Sequence, residues 1–177
     1  MRMKICAEAK PNPGHEVVTK MENFFPEFLL VTQNVDGLHV RAGNKKLAEI
    51  HGNIFTARCT RCENKFTFPT IPTSFPIHCP NCQSLARPHI VWFGESYDMK
   101  LLQMVISFLK KTDLIFIIGT SGQVSVPIQL ANEAMKQGAY SIEINPEIST
   151  ISNQVNIHFS KPSGEILPQI WQEIIEN

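Results

Sequence analysis

A chain of 177 residues, 43% hydrophobic and 18% charged, is long enough to close one core and too apolar to stay disordered. Its 16 basic and 16 acidic residues cancel, which excludes a whole-chain field for nucleic acid or an anionic membrane. No run reaches the roughly 18 apolar residues of a membrane span, and the opening Met1-Arg2-Met3-Lys4-Ile5-Cys6 lacks the apolar stretch of a signal peptide. The expectation is a cytoplasmic protein, where reduced cysteines bind metal more often than they pair.

The first buried strand is expected at Phe28-Leu29-Leu30-Val31-Thr32, a short apolar run. From Phe55 to Pro88 the pattern changes: two cysteine pairs lie among prolines that include Pro69, Pro72 and Pro76. Proline removes backbone donors, so this stretch is neither a central strand nor a long helix. It reads as an inserted module too small for its own core, and therefore stapled. A second apolar run, Leu114-Ile115-Phe116-Ile117-Ile118, ends at Gly119. A helical stretch follows, with Pro127 near its start, Gly138 just past its end, and Ile128, Ala131, Ala134 and Met135 on one face. A third strand, Tyr140-Ser141-Ile142-Glu143-Ile144, stops at Asn145-Pro146. Strand, helix and strand make a βαβ unit, hence a parallel sheet with covered faces. A final amphipathic helix carries Ile166, Ile170, Trp171, Ile174 and Ile175. The fold class is α/β: a Rossmann-like parallel sheet with helices on both faces over 1–54 and 89–177, and a zinc-ribbon-like insert over 55–88.

The staple is Cys59-x-x-Cys62 and Cys79-x-x-Cys82, with 63–78 between the pairs. Two such knuckles place four thiolates around one ion, and Zn²⁺ accepts four sulfurs without strain. A redox dithiol would need one pair at a helix start instead of two in a Pro-rich loop. Four protein ligands close the site, so the metal is expected to be structural. His78 stands beside Cys79 but is not needed, and Cys6 reads as a buried small apolar residue or a spare thiol.

Chemistry is expected beyond the carboxyl ends of the strands. Those ends read Thr32-Gln33-Asn34-Val35-Asp36-Gly37-Leu38-His39, Gly119-Thr120-Ser121-Gly122 and Asn145-Pro146-Glu147. Each is a polar cluster after an apolar strand, and Gly119 and Gly122 allow close backbone approach to a phosphate. Each is also what an ordinary turn contains. His51, in Glu49-Ile50-His51-Gly52-Asn53, is the candidate base. His15, His39, His89 and His158 read as structural.

Taken in order, these segments resemble the sirtuin family of NAD-dependent protein-lysine deacylases, in its bacterial and mitochondrial-type branch. Thr32 to His39 followed by Arg41-Ala42-Gly43 is similar to the segment holding the nicotinamide end of NAD, and Ile50-His51-Gly52 to the catalytic histidine. The knuckles fall where sirtuins carry zinc, and Pro11-Asn12-Pro13-Gly14-His15 also matches a family element. Arg87 to Glu95 is similar to the strand that pins the acyl-lysine peptide. Gly119-Thr120-Ser121 and Ile144-Asn145-Pro146-Glu147 resemble two later NAD contacts, and Lys161-Pro162-Ser163-Gly164 the loop beside the adenine.

The resemblance implies NAD held by Gln33, Asn34, Asp36, Gly119, Thr120, Ser121, Asn145, Pro146, Glu147 and Ser163. It implies an acylated-lysine protein or peptide bound at Val91, Phe93, Gly94 and Glu95. His51 would act as general base on a ribose hydroxyl, and the products would be free lysine, nicotinamide and O-acyl-ADP-ribose. The chain departs from the family in having no Gly-x-Gly and no Gly-Ala-Gly-x-Ser loop. Met1 falls within a family helix, and Arg2 corresponds to the Arg of a Tyr-x-x-Arg pair, so an incomplete or internally started copy is expected. Self-association through an exposed sheet edge would follow. Three readings stay open: a deacylase whose missing segment lies elsewhere in the gene or on a partner, an inactive acyl-lysine-binding module, and a degraded gene product without stable function. Nucleic-acid binding is not expected, because the knuckle region lacks the basic residues to cover phosphates.

Overall fold

The structure is a computed structural model that describes residues 2–68, 71–72 and 74–176; Pro69 lies outside the described residues. Helix α1 (Arg2–Glu8) leads to α2 (Pro13–Phe24), which starts where Asn12 places its side-chain oxygen 3.1 Å from the His15 amide and Pro13 fills the first position. Strand β1 (Leu30–Thr32), the short helix α3 (Leu38–Ala42) and strand β2 (Leu47–Glu49) follow. The chain then forms β3 (Gly52–Cys59), β4 (Lys65–Thr67), β5 (Ile77–His78) and β6 (Leu85–Ile90). Asp98 caps α4 (Met99–Leu109) by accepting from the Lys100 and Leu101 amides at 3.0 and 3.2 Å. Strand β7 (Leu114–Ile118), helix α5 (Ser125–Lys136), strand β8 (Tyr140–Ile144), strand β9 (Ile157–Phe159) and helix α6 (Ser163–Glu176) complete the fold.

The expected βαβ unit is present: β7 and β8 are parallel in register from Leu114 opposite Tyr140 to Ile118 opposite Ile144. β9 extends this sheet, giving the order β7-β8-β9, while β1 pairs in parallel with β2 as a separate ladder. Among the described residues no ladder joins β1 to β7. An apolar cleft of about 120 Å³ lies between them, lined by Val31, Ile115, Ile117 and Leu130.

Helices cover both faces and bridge the two ladders. On one face Leu102, Val105 and Leu109 of α4 and Leu130 and Ala134 of α5 pack on Ala48 and Ile50, with Val31 and Ile115 alongside. On the other, Val17, Val18 and Met21 of α2 and Ile166 and Leu167 of α6 pack on Ile144, with Leu30, Phe116 and Ile142. Leu30 and Val31 therefore point to opposite faces, as successive strand residues must. Leu167 is fully buried, and burial of such a side chain stabilises by about 1.5–3 kcal/mol.

The insert is a four-stranded antiparallel sheet of order β4-β3-β6-β5. Its two long strands begin and end at the body: β3 starts immediately after His51, and β6 stops immediately before Val91. That placement makes β3 and β6 the rails on which the segments beside the cleft are mounted.

Candidate active site

The four sulfurs of Cys59, Cys62, Cys79 and Cys82 all lie within 4.8 Å of one another. Cys59 and Cys82 are 3.4 Å apart and Cys62 and Cys79 3.7 Å, close to the roughly 3.8 Å edge of a tetrahedron built on zinc–sulfur bonds of about 2.3 Å. The two knuckles repeat one local geometry. Cys59 N–H donates to Asn64 O at 2.9 Å, and Cys79 N–H to Ser84 O at 2.8 Å. The residue after each second cysteine is left-handed, Glu63 at φ 56° and Gln83 at φ 60°.

Backbone amides of Arg61 and Cys62 also point at the Cys59 sulfur, at 3.3 and 3.4 Å. Hydrogen bonds from the Ser84 backbone and side chain pull the Cys82 thiol down to about 6. A backbone hydrogen bond at Asn64 favours the Cys62 thiolate, but the neighbouring thiols, Cys82 first, push its thiol up to about 11. Thiolates this close oppose one another's ionisation unless a cation stands between them. The donor set therefore fits a zinc ion, with Asn64 and Asn81 side-chain amides within reach of the sulfurs.

The cleft assembles at the strand ends. After β1, Asn34 N–H donates to Thr32 Oγ1 at 3.1 Å and Leu38 N–H to Asp36 Oδ1 at 2.9 Å, which folds the Gln33–Gly37 loop back on itself. The Gln33 side-chain amide donates to Thr120 Oγ1 at 3.4 Å, and its backbone carbonyl lies 3.0 Å from His51 Nδ1. The Asn145 side-chain amide donates to Thr120 O at 2.7 Å. Gln33, His51, Thr120 and Asn145, far apart in sequence, thus meet at one place.

His51 is held there by its neighbour. Gly52 has φ +78°, and a Cβ on it would lie 2.0 Å from His89 O, so only glycine lets β3 run this close to β6. The next turn of chain is also fixed, because Asn53 donates to Glu49 Oε1 at 2.7 Å. Burial holds the Glu49 carboxyl above its usual range, against that hydrogen bond.

Val91 continues from β6, and its amide donates to His51 O at 2.9 Å. The segment then turns: Gly94 has φ 85° and Glu95 N–H donates to Trp92 O at 2.9 Å. The resemblance placed Arg87 to Glu95 on one strand, whereas the strand ends at Ile90. Glu95 causes the turn, bonding to Arg87, to the Trp92 amide at 3.1 Å and to Arg58 at 3.5 Å. The Arg87 hydrogen bond, and the Trp92 amide after it, hold the Glu95 carboxyl below its usual range. Phe93 is left fully exposed. A groove of about 830 Å³ is lined by Val91, Tyr97, Asp98, Arg58 and Arg87, without Phe93.

Other residues singled out from the sequence sit on the same edge without joining the cluster. Asn34, Gly119, Ser121, Pro146 and Glu147 are exposed around it, and Asp36 is half-buried below it. Ser163 opens α6 against the start of α2, where a Cβ on Gly14 would lie 3.2 Å from its carbonyl, so the Ser163-Gly164 pair is a helix N-terminus instead of a loop. Two contacts had no sequence signal. Tyr97 places its hydroxyl 3.0 Å from His51 Nε2. Buried Asn44 donates to Glu22 Oε2 at 2.8 Å, and the Lys45 amide to Glu22 Oε1 at 2.9 Å, anchoring the loop before β2.

These features define a class: a parallel-stranded α/β body with a polar, histidine-bearing edge and an inserted four-thiol metal module. The Sir2 family model matches residues 1–126. An NAD-dependent protein deacylase of Leptospira interrogans serogroup Icterohaemorrhagiae serovar Lai is 49% identical over 178 residues, covering 99% of this chain and 72% of the relative. A solved Sir2 homologue–NAD complex superposes with a TM-score of 0.95 at 31% identity, covering 99% of this chain and 69% of that one. A Sir2 structure bound to acetylated peptide gives 0.87 at 28% identity, with 97% and 74% covered. The chain belongs to the Sir2 family.

Proposed function

We propose that the protein is an NAD-dependent protein-lysine deacylase that removes an acyl group from lysine and yields nicotinamide and O-acyl-ADP-ribose. The observation that carries this reading is the meeting of Gln33, His51, Thr120 and Asn145 at one edge, with Val91 hydrogen-bonded to His51. When bound, NAD supplies the ribose carbon that takes up the acyl oxygen as nicotinamide leaves.

The residues divide the remaining work. Gln33, Asn34 and Asp36 offer amide and carboxylate groups for the nicotinamide ribose end. Gly119, Thr120, Ser121, Asn145, Pro146, Glu147 and Ser163 border the rest of the cofactor's path. His51 commits Nδ1 to the Gln33 carbonyl, so Nε2 is the atom that takes a proton from a substrate hydroxyl. Val91, which lines the groove, and Phe93, exposed in the free protein, are the apolar side chains that would close over the acyl-lysine, where a charged ammonium would carry a desolvation cost. Backbone at Gly94 and Glu95 pairs the peptide as an added strand once the Glu95 amide leaves the Trp92 carbonyl that it bonds in the free protein. The zinc ion would bind Cys59, Cys62, Cys79 and Cys82 and hold β3 and β6 in place.

The same proposal carries the division into a body of 1–54 with 89–177 and an insert of 55–88. It also carries pairing of the open edges of β1 and β7 with another chain, which sedimentation would detect as self-association. Among the described residues no helix is long and apolar enough to cross a membrane. With free thiols at Cys6, Cys59, Cys62, Cys79 and Cys82, a reducing cytoplasm is the compartment we infer.

The test is deacylation of an acetyl-lysine peptide with NAD, read by mass spectrometry for O-acyl-ADP-ribose. Product that disappears in His51→Ala supports the reading. Peptide binding without product from folded, zinc-loaded protein would replace it with an acyl-lysine-binding module.

A further inference from the structure

His51 is hydrogen-bonded on both ring nitrogens. Nδ1 faces the Gln33 carbonyl at 3.0 Å. A carbonyl accepts and cannot donate, so the neutral ring carries its proton on Nδ1 and keeps its lone pair on Nε2. The Tyr97 hydroxyl, 3.0 Å from Nε2, must then be the donor. The two rings lie 5.5 Å apart between centroids, tilted by 45°.

Tyr97 is built in place. Its ring is half-buried and packs against the core that contains Ile50 and Leu102. Two residues before it, Glu95 ties the loop to Arg87, Arg58 and the Trp92 amide. The residue after it, Asp98, caps α4. A phenol O–H turns about its C–O bond, so one oxygen serves both states of the base. It donates to Nε2 while the cleft is empty, turns away to leave that lone pair to a docked substrate hydroxyl, and accepts from Nε2–H once the ring has taken the proton.

We propose that Tyr97 is a positioning residue for His51, fixing the orientation of a base whose tautomer the Gln33 carbonyl sets, and linking it to the Val91–Glu95 segment where the acyl-lysine peptide would dock. The kinetic side of this inference rests on the deacylase reading; the structural side does not.

The experiment compares ¹⁵N-labelled, zinc-loaded protein with its Tyr97→Phe variant, which removes the hydroxyl alone. The expected wild-type spectrum shows His51 as the Nδ1–H tautomer with a hydrogen-bonded Nε2. In Tyr97→Phe the Nε2 resonance moves toward that of an unbonded imine nitrogen, and the melting temperature is retained. Turnover should fall roughly fivefold, the scale of one neutral hydrogen bond, with the KM for NAD unchanged. An Nε2–H tautomer in the wild type, or an unmoved Nε2 resonance in the variant, would overturn the proposal. So would a moved resonance with unchanged kcat. Failure of the wild type to deacylate counts against the enzyme reading alone, because the spectra are recorded without substrate.

Discussion

The four-thiol module and the cleft edge solve the same problem, holding polar groups at fixed separations, by opposite means. In the module two short knuckles of identical local geometry bring four sulfurs within 4.8 Å, and the apolar contribution is small. At the cleft edge, Gln33, His51, Thr120 and Asn145 are held by strands whose cores lie on both faces of two parallel ladders. The module thus depends on an ion, whereas the edge depends on packing. Each can be broken with the other left standing.

The largest effect is expected from metal removal. Structural zinc in small modules carries apparent binding free energies on the order of 10 kcal/mol. Chelation, or Cys79→Ser, should expose 60–83 to protease while the helical far-ultraviolet signal of the body persists. Simultaneous melting of both regions would show that they are one cooperative unit.

At the edge, His51→Ala should lower deacylation by roughly 10²- to 10⁴-fold, the usual weight of a general base. Zinc content and melting temperature should not change, since the half-buried ring is not part of either core. Gly52→Ala attacks the junction between the two regions. With φ +78° and His89 O at 2.0 Å from the new Cβ, it should cost about 2–3 kcal/mol in denaturant unfolding. A loss under 0.5 kcal/mol would mean that β3 and β6 separate easily there. Asn44→Ala removes the donor to the buried Glu22 carboxylate and should cost about 1–3 kcal/mol, without changing zinc affinity.

The smallest effect is a pH slope. Burial lowers His15, His39 and His89 below the ordinary histidine range, helped at His39 by the charge of neighbouring His15 and at His89 by Lys65, Arg58 and Arg87. A depressed histidine is neutral in the fold and protonates first in the unfolded chain. Stability should therefore be complete above the unfolded value of about 6.5 and decline as pH falls below it. The decline should shrink in His39→Gln; an unchanged slope would place the buried charge elsewhere.

Much of this was legible beforehand where the signal is local. The knuckle spacing marked the four cysteines whose sulfurs meet, Gly119 and Asn145-Pro146 marked the ends of β7 and β8, and Pro127 and Gly138 bracketed α5. The 87–95 stretch was read as one strand because nothing in its residue pattern reveals that Glu95 bonds back to Arg87 and Trp92. Tyr97 gave no signal at all. An aromatic residue before a helix is ordinary, and its meaning comes from a partner at His51.

The amino-acid sequence by itself determined the two cysteine pairs, the βαβ unit, the histidine and the polar strand ends, because each is written in spacings of a few residues. Tertiary structure alone decided that Gln33, His51, Thr120 and Asn145 share one edge, that β1 and β7 belong to separate ladders, and that the Tyr97 hydroxyl meets His51 Nε2. The physical reason is range. Metal knuckles, caps and strand breaks are set by neighbouring residues, whereas a hydrogen bond between His51 and Tyr97 exists only after β3, β6 and α4 have packed together.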